Sequence, residues 1–200
     1  SSFSSKFYNK KPNNIIGVTG TNGKSSIANF YYQILTLNKK KVASIGTLGV
    51  KSDSINLKLD NTTMDSITNN KLLFKLKSKK IENVILEASS HGLEQKRLHG
   101  INFKTSIFTN LSRDHLDYHK NFKNYLNSKL ILFKNLTKKK GNLIFDNDIK
   151  FSKILKKIGK DKNFNLLNIG VKKSNFKLIS IKNQNNSQLV TFLYRNKIFR

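Results

Sequence analysis

The sequence predicts an α/β fold: a mostly parallel sheet with helices on both faces, and a small antiparallel β element near the C-terminus. Three observations carry this expectation. Short apolar, β-rich runs alternate with amphipathic segments over most of the chain. A glycine-rich turn joins the first apolar run to the first amphipathic segment, where open α/β sheets gather their ligands. The 200 residues, 37% of them hydrophobic, suffice for one sizeable core.

The elements follow in order. Residues 14–19 (NIIGVT) read as a strand, the glycine-rich turn follows, and Ser25 to about Asn38 reads as an amphipathic helix. Further buried-strand candidates lie at 42–47, 83–87, 105–110 and 143–145, with helical patterns at about 66–78 and 118–137. A lysine-rich helix is expected at 151–158. The alternating stretches 176–181 and 188–193, separated by KNQNNS, read as antiparallel strands joined by a polar turn.

Composition narrows the function. With no cysteine there is no disulfide scaffold, thiolate metal site or cysteine nucleophile. No apolar run approaches the roughly 20 residues of a membrane span, and the first residues lack a secretory apolar stretch, so the chain reads as soluble and cytoplasmic. Thirty-eight Lys and Arg against 11 Asp and Glu give a net charge of +27. The lysines are dispersed, and no basic block is interleaved with stacking aromatics. We read the charge as compositional bias rather than a nucleic-acid surface, and one that suits an anionic nucleotide-sugar.

Gly17-Val18-Thr19-Gly20-Thr21-Asn22-Gly23-Lys24-Ser25-Ser26 sits where the first strand gives way to a helix, the setting of a phosphate loop. Gly20 and Gly23 let backbone N–H groups converge on phosphate oxygens. Lys24 supplies a charge to the outer phosphates, and Ser25 can bind Mg²⁺. The strict Walker pattern wants glycine where Val18 stands. Glu87 ends the apolar run NVIL in an acid-poor chain, and a carboxylate at a strand's carboxyl end can hold Mg²⁺ with waters and phosphates. Arg97 suits a carboxylate or phosphate through its planar fork. Lys129 borders the i, i+4, i+7 stripe of Leu126, Leu130 and Phe133, near the core.

These motifs carry a resemblance. T-G-T-N-G-K-S is the loop variant of Mur ligases and folylpolyglutamate synthases, and Val18 fits it. Glu87-Ala88-Ser89-Ser90-His91-Gly92-Leu93-Glu94-Gln95-Lys96-Arg97 resembles the MurE-type run E-x-S-S-H-x-L-x-x-x-R. Thr109-Asn110-Leu111-Ser112-Arg113-Asp114-His115-Leu116-Asp117-Tyr118-His119 resembles T-N-L-x-x-D-H-L-D-Y-H, and Tyr125 to Phe133 resembles Y-x-x-x-K-x-x-L-F. The matches run from about residue 14 to 133, in the family's order.

The resemblance implies an ATP-dependent amide ligase. In that family ATP phosphorylates a substrate carboxylate and an amine then displaces phosphate, here joining an amino acid to UDP-N-acetylmuramoyl-L-alanyl-D-glutamate. It implies ATP contacts from Gly20, Thr21, Asn22, Gly23, Lys24, Ser25, Ser26 and Asn110. It implies substrate contacts from Ser89, Gln95, Arg97 and the pair Thr62-Thr63, for which a plain turn opening the next helix is the competing reading. His115 would hold a second Mg²⁺, and Lys129 would be carbamylated and so become a metal ligand; Lys24, Lys129 and His115 form the implied catalytic set. Met64 stands where the family commonly has proline. His91 reads as structural and His119 as a helix-capping group. Residues 1–13 read as a lead-in from a preceding domain, and 14–200 as a central domain incomplete at its C-terminal end, whose partners are the missing N- and C-terminal domains. A folylpolyglutamate synthase or another Mur ligase, a basic phosphate-loop protein that binds nucleic acid, and a non-catalytic module are the alternatives.

Overall fold

The computed structural model describes residues 2–200. In chain order it contains α1 (Ser2–Phe7), β1 (Asn14–Thr19), α2 (Lys24–Leu37), β2 (Val42–Gly46), β3 (Gly49–Ser52), β4 (Asn56–Leu57), α3 (Ser66–Ser78), β5 (Asn83–Glu87) and α4 (Ser90–Glu94). There follow β6 (Phe103–Phe108), α5 (Leu116–His119), α6 (Phe122–Ile131), a π-helical turn over Leu132–Leu136, β7 (Thr137–Asp146), α7 (Ser152–Asp161), β8 (Asn165–Gly170), β9 (Phe176–Gln184), β10 (Ser187–Tyr194) and β11 (Lys197–Phe199).

All strands of the described residues join one sheet in the order β11-β10-β9-β8-β7-β6-β1-β5-β2-β3-β4. From β9 to β2 every pairing is parallel, and antiparallel pairs close both edges. Strand alternation splits the core in two. Ile16 and Val18 of β1 join Ile85 of β5 and Ala28 of α2 on one face. Ile15, Val84 and Leu86 point the other way, toward Leu73 and Leu76 of α3, Leu130 of α6 and Leu155 of α7. Helices thus cover both faces. A continuous apolar run such as NIIGVT, buried at all but its first position, is what a strand between two such layers needs.

The caps explain where the helices begin. Asp65 Oδ1 accepts from the N–H groups of Ile67 (2.9 Å) and Thr68 (3.0 Å), a cap worth about 1 kcal/mol, so α3 is opened by Asp65 and not by a threonine turn at 62–63. The single helix expected over 118–137 is three pieces. Lys120 takes a left-handed φ of 65°, and Asn121 Oδ1 accepts from Asn124 N at 2.9 Å to start α6 afresh. The strand expected at 143–145 runs back to Thr137, because its lysine-rich first half is an exposed strand segment. β3, β4, β8 and β11 lie outside the expected strands. β8 alternates weakly, with burial only partial until Gly170, which left no period to read.

Candidate active site

Register brings three strand ends together. Val18 pairs with Glu87, and Thr19 with Phe108, so the loop leaving β1 is flanked by the ends of β5 and β6. Gly20 and Gly23 take φ of 151° and 84°, and a Cβ on Gly20 would stand 1.8 Å from Thr109 Oγ1. The segment after β6 clamps this turn. Thr21 N donates to Asn110 O (3.0 Å), Asn22 N to Asn110 Oδ1 (2.9 Å), and Thr109 Oγ1 to Asn22 O (2.6 Å). Asn110, expected among the nucleotide contacts, here buttresses the loop. α2 starts at Lys24, so the first-turn N–H groups of Lys24, Ser25 and Ser26 face out of the helix end, as an anion requires.

Charge converges on the same turn. Lys24 Nζ donates to Thr21 O (2.8 Å) and Gly20 O (3.1 Å), and Lys129 Nζ, on α6 and only 2% exposed, donates to the same Gly20 carbonyl at 2.8 Å. Burial lowers the Lys24 pKa, opposed by the charges of Glu87 and Asp114. Burial first, and the Lys24 charge second, push Lys129 down to about 7, with Asp114 opposing. Lys129 also lies 4.4 Å from the Tyr125 ring centre, and the Tyr125 hydroxyl meets Thr21 Oγ1 at 3.1 Å. On the other side of the loop, Glu87 is buried and accepts from Ser25 Oγ (2.9 Å), Thr47 N (3.0 Å) and Thr47 Oγ1 (3.2 Å).

The remaining expected residues form a second group beside the first. Thr63 Oγ1 donates to Glu87 O (2.9 Å) and accepts from Ser89 N (3.0 Å), while Thr62 Oγ1 meets Thr47 Oγ1 at 3.0 Å. Ser89 Oγ caps α4 through Gly92 N. Arg97 Nη1 donates to Thr63 O (2.9 Å) and its Nε to Gln95 Oε1 (2.8 Å). His115 takes a left-handed φ of 51°, with its ring 5.0 Å from that of His91 and 6.2 Å from that of Tyr125. His119 is buried, with Glu94 Oε2 2.9 Å from its Nδ1. Thr47 stands outside the recognised motifs, and Thr109, Tyr118 and Tyr125 stand inside them with no role expected. The available signal for Thr47 was its place directly after a buried strand.

The family of the Mur ligase middle domain matches residues 18–199. The chain belongs to the Mur ligase family. It is 40% identical, over 195 residues, to the UDP-N-acetylmuramoyl-L-alanyl-D-glutamate–2,6-diaminopimelate ligase of Rickettsia montanensis, covering 96% of this chain and 40% of that protein. A solved structure of a UDP-N-acetylmuramoyl-L-alanyl-D-glutamate–2,6-diaminopimelate ligase superposes with a TM-score of 0.84 at 28% identity, covering 94% of this chain and 39% of that one. The MurF ligase of Thermotoga maritima, solved with ADP, shares the fold at a TM-score of 0.72 and 17% identity, over 99% of this chain and 42% of that one. The chain therefore spans about two-fifths of the length of such relatives.

In this Mur ligase domain the oxygens of Ser25 and Glu87 are a donor set that fits a hard divalent cation, with water and phosphate oxygens completing an octahedron. Among the described residues no three His, Cys, Asp or Glu side chains group as metal ligands, so Glu87 and His115 do not share such a cluster. Beside the loop lies a cleft of about 430 Å³, lined by Gly23, Ser26, Ile107, Ile144, Asp146 and Ile169. Its lining is mostly apolar, with the side chains of Asn22, Ser26, Asn110, Asp146 and Asp148 among its polar groups. Among the described residues no helix is long and apolar enough to cross a membrane.

Proposed function

We propose that this chain is the ATP-binding core of a ligase that joins an amino acid to UDP-N-acetylmuramoyl-L-alanyl-D-glutamate through an acyl-phosphate, in peptidoglycan synthesis in the cytoplasm. The amino acid is taken to be 2,6-diaminopimelate, after the names of the relatives. The observation that carries this reading is the 2.9 Å contact between the loop serine Ser25 and Glu87, because the run holding Ser89, Gln95 and Arg97 starts from the same strand end. On this reading one strand end carries both the nucleotide side and the acceptor side of the reaction.

The motif resemblance and the contacts around this strand end support a set of roles. Gly20 to Ser26 bind the phosphates through backbone N–H groups, and Lys24 neutralises the outer ones. The cleft beside Ser26 takes the nucleoside. Ser25 and Glu87 would hold Mg²⁺, which supplies charge neutralisation on the transferring phosphoryl group. His115 and a carbamylated Lys129, which both pack around Tyr125, would serve a second ion. Carbamylation needs a neutral amine to attack CO₂, releasing one proton, and a Lys129 pKa near 7 provides that amine near neutrality. Thr62, Thr63, Ser89, Gln95 and Arg97 orient the muramyl peptide so that its carboxylate meets the outer phosphate. Further domains of the same enzyme would anchor the uridine nucleotide and read the amino acid.

The test is phosphate release by full-length protein. Release that requires ATP, Mg²⁺, the muramyl dipeptide and diaminopimelate together supports the reading, and release without the dipeptide sinks it. Two substitutions probe its halves. Arg97→Ala should raise KM for the muramyl dipeptide about 10- to 100-fold, the value of a charge-assisted hydrogen bond, and leave ATP binding by calorimetry nearly unchanged. A Cβ at Gly46 would stand 2.1 Å from Glu87 Oε1, so Gly46→Ala must displace that carboxylate from Ser25. The expected result is activity lowered by about 10²-fold, with a higher Mg²⁺ requirement. An unchanged Mg²⁺ titration would remove Glu87 from the metal set.

A further inference from the structure

Resting on the reading that Arg97 meets the muramyl substrate, we infer that Tyr118 is a positioning residue of that site, tethering the side-chain amide of Gln95 and through it the plane of the Arg97 guanidinium. Tyr118 lies on α5, more than twenty residues from Gln95 in sequence, yet its hydroxyl oxygen is 3.1 Å from Gln95 Nε2. A glutamine amide on an exposed helix end is free to turn over, exchanging donor for acceptor. Here it has one orientation. Arg97 Nε can only donate, so the atom 2.8 Å from it must be Oε1, which leaves the amide N–H₂ facing Tyr118. The tyrosine oxygen accepts that hydrogen bond. Its own O–H hydrogen is not used by Gln95 and is left for an acceptor on the open side, since Tyr118 is 38% exposed.

The ring is itself held. His91 packs on it at 4.1 Å between centres, and His119 meets it edge-on at 4.8 Å. From this anchored ring the bonds run through Gln95 to Arg97, and from Arg97 Nη1 to the Thr63 carbonyl at 2.9 Å. Arg97 is thus fixed on two sides, with its remaining N–H groups available to an anion. A guanidinium preset in this way loses less rotamer freedom when it binds a carboxylate, so the benefit appears in substrate affinity.

Tyr118→Phe keeps the ring against His91 and removes only the hydroxyl. In full-length protein KM for the muramyl dipeptide should rise about fivefold, the worth of one neutral hydrogen bond, while kcat and KM for ATP stay within about twofold. In a Gln95→Ala background the same substitution should add nothing, because its route is through Gln95. An unchanged dipeptide KM, an equal rise in both KM values, or additive effects in the double variant would each overturn the inference. A substrate-free measurement separates it from the proposed function. Tyr118→Phe should shift the NMR signals of the Gln95 side-chain amide and of Arg97 Nε–H, and unshifted signals overturn the role of Tyr118 whatever the ligation assay shows. A wild-type protein that ignores the muramyl dipeptide while those signals do shift would instead overturn the proposed substrate.

Discussion

Lys24→Ala in the full-length protein is expected to lower acyl-phosphate formation about 10²- to 10³-fold or more, and to remove most ATP affinity. The reason is local. Lys24 Nζ is held over the loop by the Gly20 and Thr21 carbonyls, and Glu87 and Asp114 oppose the loss of its charge on burial. No neighbouring side chain replaces it in full, since Lys129 shares only the Gly20 carbonyl from beneath the loop. Loss of the Lys24 ammonium leaves the outer phosphates facing backbone donors alone. Calorimetry with ATP and with the muramyl dipeptide reads the two sides separately. If Lys24→Ala kept ATP affinity and Arg97→Ala removed it, the assignments of the two motifs would be reversed.

Lys129→Met should be nearly as damaging to ligation, by about 10²-fold or more, while leaving the fold intact or more stable. The fold holds this lysine below its ordinary pKa of 10.5, at about 7, chiefly by burial. The sign follows from proton counting. Between pH 7 and about 10 the unfolded chain binds a proton that the folded chain has given up, so this group's contribution to stability rises as pH rises through that window and is lost as pH falls toward 7. The methionine variant, of similar length and without the charge, should lack that slope. Melting temperatures of both proteins across the window check it, and identical slopes would show that Lys129 stays charged in its site. Added bicarbonate should raise ligation by the parent protein and leave Lys129→Met unchanged.

Much of this was readable from local pattern. β1, the turn and α2 are contiguous in sequence, and the change from a continuous apolar run, through a glycine-rich turn, to a period of 3.6 marks their junction. The same holds for β5 and the run that follows it. What escaped were features without a local period. β8 is half-buried and weakly alternating, β7 begins with three exposed lysines, and the break at Lys120 is a left-handed residue with no glycine to announce it. Tyr118 and Tyr125 stood inside recognised runs, but nothing in those runs told which of their atoms would meet Gln95 or Thr21.

The sequence by itself determined the fold class, the glycine-rich turn between the first strand and helix, and the family, and it named the side chains we propose to carry chemistry, because each of these depends on residue type and short spacing along one segment. Tertiary structure alone decided which of those segments meet. The strand order β6-β1-β5 puts Glu87 against Ser25 across 62 residues, and sets Lys129 beneath Gly20 across 109. Those contacts arise from parallel register and from helices packed on opposite faces of the sheet, and such long-range pairings are settled by the burial of the whole core rather than by any local preference.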